Sequence, residues 1–248
     1  MLTQTILRTL LRIARIAVYS IHKWQNALPS NESVKMVLSE TATAADGGCP
    51  NMSNRFAAGF YWVHMLGELG DQKLHQVYRQ DLVGFSGIGG GSSYALAGPP
   101  GWYNEDVQGA LTPNPDFFIT ALQRRLVGSK RFEVKGGEEK TLHAACSKNG
   151  GVVLSFTNVL NETVGIDIDY DGEFGDADDI TLDMYVFTAP NGNLTSDVIE
   201  LNGNSLALDF DAPLLPSTVH TRSLVLPAYS YGYIVDRSIV VEACTSMS

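Results

Sequence analysis

Glu40 is the residue in this sequence best placed to do chemistry. It follows a short, mostly apolar run, Val34 to Leu38, and precedes a loop containing Gly47 and Gly48. A run of that length reads as a buried strand, and the periodic residues after it (Phe56, Ala57, Phe60, Val63 and Leu66) as a helix starting near Ser53. A carboxylate between such a strand and such a helix occupies the position where (β/α)8 barrels keep catalytic groups. The chemistry on offer is that of an acid: nucleophile, proton donor or proton acceptor. A second acidic group invites a metal reading. Asp167, Asp169, Asp171 and Gly172, with Asp178 beyond, imitate the spacing of a calcium-binding loop. Ile166, Ile168 and Tyr170 alternate with those aspartates, which is the pattern of a strand with a wet acidic edge. No metal site is expected there, and no cofactor.

The elements that must position Glu40 come in two kinds. Met1 to Trp24 is a basic amphipathic stretch with Ile6, Leu10, Ile13, Ile16, Ala17 and Ile21 near helical spacing. Arg8, Arg12 and Arg15 interrupt it too often for a signal peptide or a membrane span. A membrane-surface helix remains open, although an outer barrel helix docked on its sheet fits the pattern better. After the Phe56 helix, Gly67 and Gly70 read as a stop, and Leu74 to Val83 as the next strand. A glycine-rich loop, Gly84 to Gly109, follows. It lacks the Lys-Ser/Thr of a phosphate loop. Asn114-Pro115 then opens a helix bearing Phe117, Phe118, Ala121, Leu122 and Leu126, which Gly128 ends.

Beyond Arg131 the helical periodicity stops. Short alternating segments take over, at Thr141–Cys146, Val152–Thr157, Val164–Tyr170, Ile180–Phe187, Val198–Leu201, Ser205–Phe210, Tyr229–Val235 and Ile239–Val241, separated by turns such as Asn149-Gly150-Gly151. The reading is α/β plus all-β: residues 1–130 as part of a (β/α)8 TIM barrel, and residues 131–248 as an antiparallel β-sandwich.

Composition narrows the function. The 248 residues are 44% hydrophobic, as in an ordinary globular chain, and 17 basic against 27 acidic residues leave a net charge of −10. That balance argues against a nucleic-acid partner. Sequons stand at Asn31, Asn51, Asn161 and Asn193.

The motifs together resemble a known family. Ser39-Glu40-Thr41, Gly47-Gly48, Phe56-Ala57-Ala58-Gly59-Phe60, Tyr78-Arg79-Gln80, Tyr94, Pro113-Asn114-Pro115-Asp116, Arg125 to Lys130, Leu226 to Tyr231 and Glu242-Ala243-Cys244 follow one another as in the heparanases and β-glucuronidases of glycoside hydrolase family 79. The resemblance covers the chain from about Val34 onward and is to the C-terminal portion of such enzymes. It implies a retaining hydrolase of β-glucuronide linkages, with Glu40 as nucleophile and a uronic-acid glycan as partner. Tyr94 and the Gly47 loop would hold the sugar's carboxylate, and Gln80 is a further substrate-binding candidate, although barrel packing is the favoured reading for Gln80. The resemblance also implies a Cys146–Cys244 disulfide, which leaves Cys49 as a small packing residue.

Two departures bear on the substrate. Asp46 replaces the first glycine of the family's loop triplet, and Ser92-Ser93 stands where Gly-Asn precedes the tyrosine. The family's acid/base glutamate, in an Asn-Glu pair on an earlier strand, has no counterpart: Asn31-Glu32 lies in a polar turn and Asn104-Glu105 comes after Glu40. A barrel segment encoded upstream is therefore an expected partner, and the isolated chain is expected to be inactive. The alternative is a non-catalytic glycan- or protein-interaction module derived from such an enzyme. Sequons and the implied disulfide point to an extracellular or lysosomal location, with a signal peptide upstream.

Overall fold

The computed structural model describes residues 19, 21, 23, 35–44, 47–49, 51–72, 74–84, 93–98, 111–135, 142–170 and 180–245. Strands β1 (Val37–Thr41) and β2 (Gln76–Arg79) lie in parallel, with Val37 opposite Gln76 and Thr41 opposite Arg79. Parallel neighbours need a crossover, and helix α1 (Phe56–Asp71) supplies it. The ladder continues past β2. Gln80 N donates to Thr41 O at 3.0 Å, and Leu96 N and Ala97 N donate to Asp81 O and Leu82 O at 2.9 and 3.0 Å. Strand β3 (Ala97–Gly98) thus begins beside residues 81–83, bridging Val83 in parallel, and pairs on its other side with β4 (Thr112–Pro113). The Gln80–Asp81 peptide is cis.

Helix α1 starts and ends differently from the sequence reading. Its first amides are capped by distant backbone rather than by a side chain: Phe56 N and Ala57 N donate to Ser196 O and Leu194 O at 2.8 and 2.9 Å. At its other end it runs through Gly67 and Gly70 to Asp71. Those glycines are contacts, not stops. A β-carbon on Gly67 would enter the His143 ring, and one on Gly70 the Arg131 guanidinium, so both let the helix lie close on the sheet. Apolar residues wrap α1 because it is covered on more than one side.

Helix α2 (Pro115–Leu126) begins at Asn114-Pro115 as the sequence indicates, but the Asn114 amide donates to Ala95 O at 2.7 Å instead of capping. It passes directly into β5 (Val127–Phe132), so Gly128 is a strand residue facing the Cys146 backbone and not a helix end.

The rest is mainly one large antiparallel sheet. Its strands run in the order β11 (Asn204–Ser205), β10 (Glu200–Leu201), β9 (Leu182–Thr188), β14 (Ser230–Asp236), β7 (Val152–Asn158), β6 (Leu142–Ser147) and β5, with β12 (Ser217–Val219) also paired to β9. Side chains alternate between its two faces. Tyr185, Phe187, Tyr231 and Tyr233 join Phe56, Phe60 and Trp62 of α1 and Phe118 and Leu122 of α2 in one core. Met184, Val186, Phe156 and Ile234 face the other way, onto β8 (Val164–Asp167) and β13 (Ser223–Leu226), which pair with each other. The first core includes residues on both sides of residue 130. Ile21 packs against it, while Tyr19 and Lys23 are exposed; the rest of the Met1–Trp24 stretch lies outside the described residues.

Several strand expectations need correction. Ile239–Val241 forms no strand; Ile239 and Val241 instead bury themselves against Val152. Ser205–Phe210 contributes only Ser205, which with Asn204 pairs back on β10 across a tight turn at Asn202 and Gly203 (φ 52° and 76°). Cys146 on β6 and Cys244 on a short helix α3 (Glu242–Thr245) form the disulfide, with Cα atoms 5.3 Å apart. Cys49 is exposed rather than packed. Asp171, Gly172 and Asp178 lie outside the described residues, while Asp167 accepts a hydrogen bond from Ser223 Oγ at 2.6 Å.

Candidate active site

Glu40 is the next-to-last residue of β1, and it is exposed. The neighbouring Thr41 is tied down by a hydrogen bond to the Tyr61 phenol, whose burial raises its pKa. Strand geometry thus turns Glu40 outward while its neighbour is held inward.

Tyr94 comes to the same place from the loop before β3. It is buried, and its hydroxyl receives a hydrogen bond from the Gly47 backbone. Burial raises the Tyr94 pKa first, the negative charge of Asp81 next, and that of Glu40 third; the Gly47 bond and Arg79 oppose them. Glu40, Gly47, Asp81 and Tyr94 therefore form one cluster. Two hydrogen bonds join its two loops: Ser93 N and Ser93 Oγ both donate to Gly47 O, at 2.5 and 3.0 Å. Gly48 is required next to it, since at φ +95° it packs on Ser93 Oγ with the Tyr94 nitrogen only 3.0 Å from where a β-carbon would stand.

Beneath Tyr94 lies an ion pair. Arg79, the last residue of β2, pairs with Asp116 on the first turn of α2, donates to Tyr94 O at 2.6 Å and stacks 4.6 Å over Trp62. Both partners are buried, with side chains 6% and 1% exposed. Burial pushes the Asp116 carboxyl up to about 6 despite the adjacent guanidinium. Arg79 thus fixes the backbone of the tyrosine loop.

Gln80 reaches this region through its backbone bond to Thr41. Asn51, Asn161 and Asn193 are exposed, whereas Asn31, Asp46, Ser92 and both Asn-Glu pairs lie outside the described residues. Sequence reasoning missed two residues. Arg79 was read only as part of a motif, and Asp81 not at all, although its place one residue past Gln80 at the strand end was a signal.

No family model matches the chain. Heparanase from Bos taurus is 31% identical over 228 residues, which are 85% of this chain and 38% of that protein. The chain is heparanase-like. Hyaluronoglucuronidase from Hirudo nipponia is 26% identical over 223 residues, covering 84% of this heparanase-like chain and 41% of the relative. The chain therefore spans about two-fifths of the curated relatives it matches. Among solved structures, a β-porphyranase of glycoside hydrolase family 86 from Bacteroides plebeius superposes with a TM-score of 0.52 at 14% identity, over 94% of this chain and 39% of its own. That likeness concerns the fold. The heparanase-like chain thus brings a strand-end carboxylate, a buried tyrosine and a backbone amide together in a fold shared with a glycoside hydrolase.

Proposed function

We propose that the chain is the C-terminal part of a retaining family 79 glycoside hydrolase that cleaves β-glucuronide linkages in glycans. The observation that carries this reading is the cluster of exposed Glu40 with buried Tyr94 and the Gly47 amide. A retaining mechanism needs two carboxyl groups about 5–5.5 Å apart, one attacking the anomeric carbon and the other protonating the leaving oxygen. Glu40 is the nucleophile. The Tyr94 hydroxyl donates to the sugar's carboxylate, the Gly47 amide turns from Tyr94 to join it, and Gln80 is a third binding residue. The acid/base comes from barrel strands beyond β1 and β2, so the barrel portion, residues 1–130, works only with those strands alongside. The sandwich of residues 131–248 supports it from the side of α1 and α2.

The substrate is a glucuronide without dense sulfation. Loops 41–54 and 84–114 contain no Lys or Arg, and a cleft for a polyanion needs them. Faster cleavage of heparin-like chains than of unsulfated glucuronides would overturn this. With a disulfide and exposed sequons at Asn161 and Asn193, the protein is extracellular or lysosomal.

A second reading, a non-catalytic interaction module, draws on one observation: among the described residues the parallel pairing is confined to β1 with β2 and the single bridge from Val83 to Ala97. Release of a nitrophenol from an aryl β-glucuronide separates the two. The 248-residue chain should match its Glu40→Ala blank, and joined to the other barrel strands of a heparanase relative it should turn over. Failure of the joined protein, folded, would favour the module. Turnover by the chain alone would mean a second carboxyl group lies in reach, and Asp81→Asn would identify it.

A further inference from the structure

On the sheet-facing side of α1, away from Glu40, three buried ligand-type side chains converge. His64 and Glu68 are one helical turn apart, and His143 rises from β6 into the space Gly67 leaves. One ligand atom from each lies within 4.8 Å of the other two. His143 Nε2 is 3.4 Å from His64 Nδ1, and Glu68 Oε1 is 3.9 Å from the other nitrogen of that ring, Nε2, so His64 turns one of its two nitrogens to the shared space. The Glu68 side chain is only 8% exposed and its Oε1 has no hydrogen-bond partner. An ionised carboxylate buried that way is costly without a compensating positive charge.

We propose that His64, Glu68 and His143 bind a divalent transition-metal ion, with zinc the natural occupant, as a brace between α1 and β6. The donor set is two imidazoles and one carboxylate, a combination that suits zinc and disfavours magnesium or calcium. One ligand atom per residue lies within 4.8 Å of the others, wider than the roughly 3.3 Å edge of a zinc tetrahedron with Zn–N bonds of about 2.0–2.1 Å, so the three side chains close on the ion as it binds. His143 Nδ1 already contacts Asp71 Oδ2 at 3.0 Å, the outer carboxylate that orients a ligating imidazole and leaves Nε2 to face the metal. Glu68 and Asp71 together balance the two charges of the ion. The Asp71 side chain is 28% exposed, which gives the ion a way in, and water completes the fourth position. None of these residues belongs to the Glu40 cluster, so the proposal does not depend on the assigned hydrolysis.

The test is calorimetric titration of the chelator-treated full chain with zinc ion alone. The expected result is one site per chain, released protons, and a rise in thermal midpoint with zinc concentration. His143→Gln and Glu68→Gln should abolish the site, while Asp71→Asn should weaken it about 10–100-fold, the usual effect of removing an outer-shell partner. His75→Gln and His220→Gln, at surface histidines, should change nothing. Should the ligand variants fail to fold, cobalt substitution of the unaltered chain decides: a tetrahedral visible spectrum with paramagnetically shifted His64 and His143 resonances supports the site. No zinc or cobalt binding by the unaltered chain, or binding that survives in folded His143→Gln, would overturn it and leave a histidine pair held by hydrogen bonds.

Discussion

At the scale of single residues, the candidate site depends on one buried charge pair that no local pattern announces. Glu40 stands out in the sequence as a carboxylate at a strand end, and Gly47 and Tyr94 stand out only through the family resemblance. Arg79 and Asp116 do not stand out as a pair, since they are 37 positions apart and meet only once β2 and α2 are placed. Arg79→Gln leaves Asp116 buried without its partner, which should cost on the order of 3–5 kcal/mol in chemical denaturation. A loss below 1 kcal/mol would show that the pair does not hold the tyrosine loop. Asp116 also sets a pH dependence. Its carboxyl is raised to about 6 in the fold, against about 3.9 in an unfolded chain. Between those values the folded state keeps a proton that the unfolded state has released. The contribution of this group is therefore greatest below about pH 4 and is lost as pH rises through about 6. Denaturation midpoints of Asp116→Asn should lack that component. An unchanged slope through this range would contradict it.

At the scale of elements, the sequence located helices and strands better than it located their ends. Periodicity found α1, α2, β6, β7, β9 and β14, since each has a face that must be buried. It misjudged Gly67 and Gly70, because a glycine needed for close approach looks the same in sequence as one that stops a helix. It also missed β12 and β13, of three and four residues, and the Asn202-Gly203 turn that joins β10 to β11. Gly67→Ala separates the two roles of glycine. Helix propensity alone predicts a gain of roughly 0.8–1 kcal/mol. The His143 ring in the way predicts overpacking at a cost of typically 1–3 kcal/mol, and we expect a net loss in thermal stability. A higher midpoint would show that α1 does not lie on β6 as described.

At the scale of the whole molecule, one core joins the βαβ unit that bears Glu40 to the large sheet, and the disulfide ties the C-terminal α3 to β6. Closing a loop of 98 residues contributes on the order of 4 kcal/mol in the chain-entropy view. Cys146→Ser with Cys244→Ser should lower stability by about that much, without altering the Glu40 cluster, which neither cysteine belongs to. An equal stability of the two proteins would argue against the bond as a brace. The central claim is that Glu40 attacks the anomeric carbon. The most direct measurement joins this chain to the remaining barrel strands of a heparanase relative and treats the protein with a glucuronyl fluoride bearing a second fluorine beside the anomeric carbon. Its good leaving group needs no acid, and the fluorine slows release of the glycosyl-enzyme intermediate. Peptide mass spectrometry should find one fluoroglucuronyl group esterified to Glu40, with turnover lost in step. A label on Asp81 or on any other acid, with Glu40 unmodified, would contradict the account.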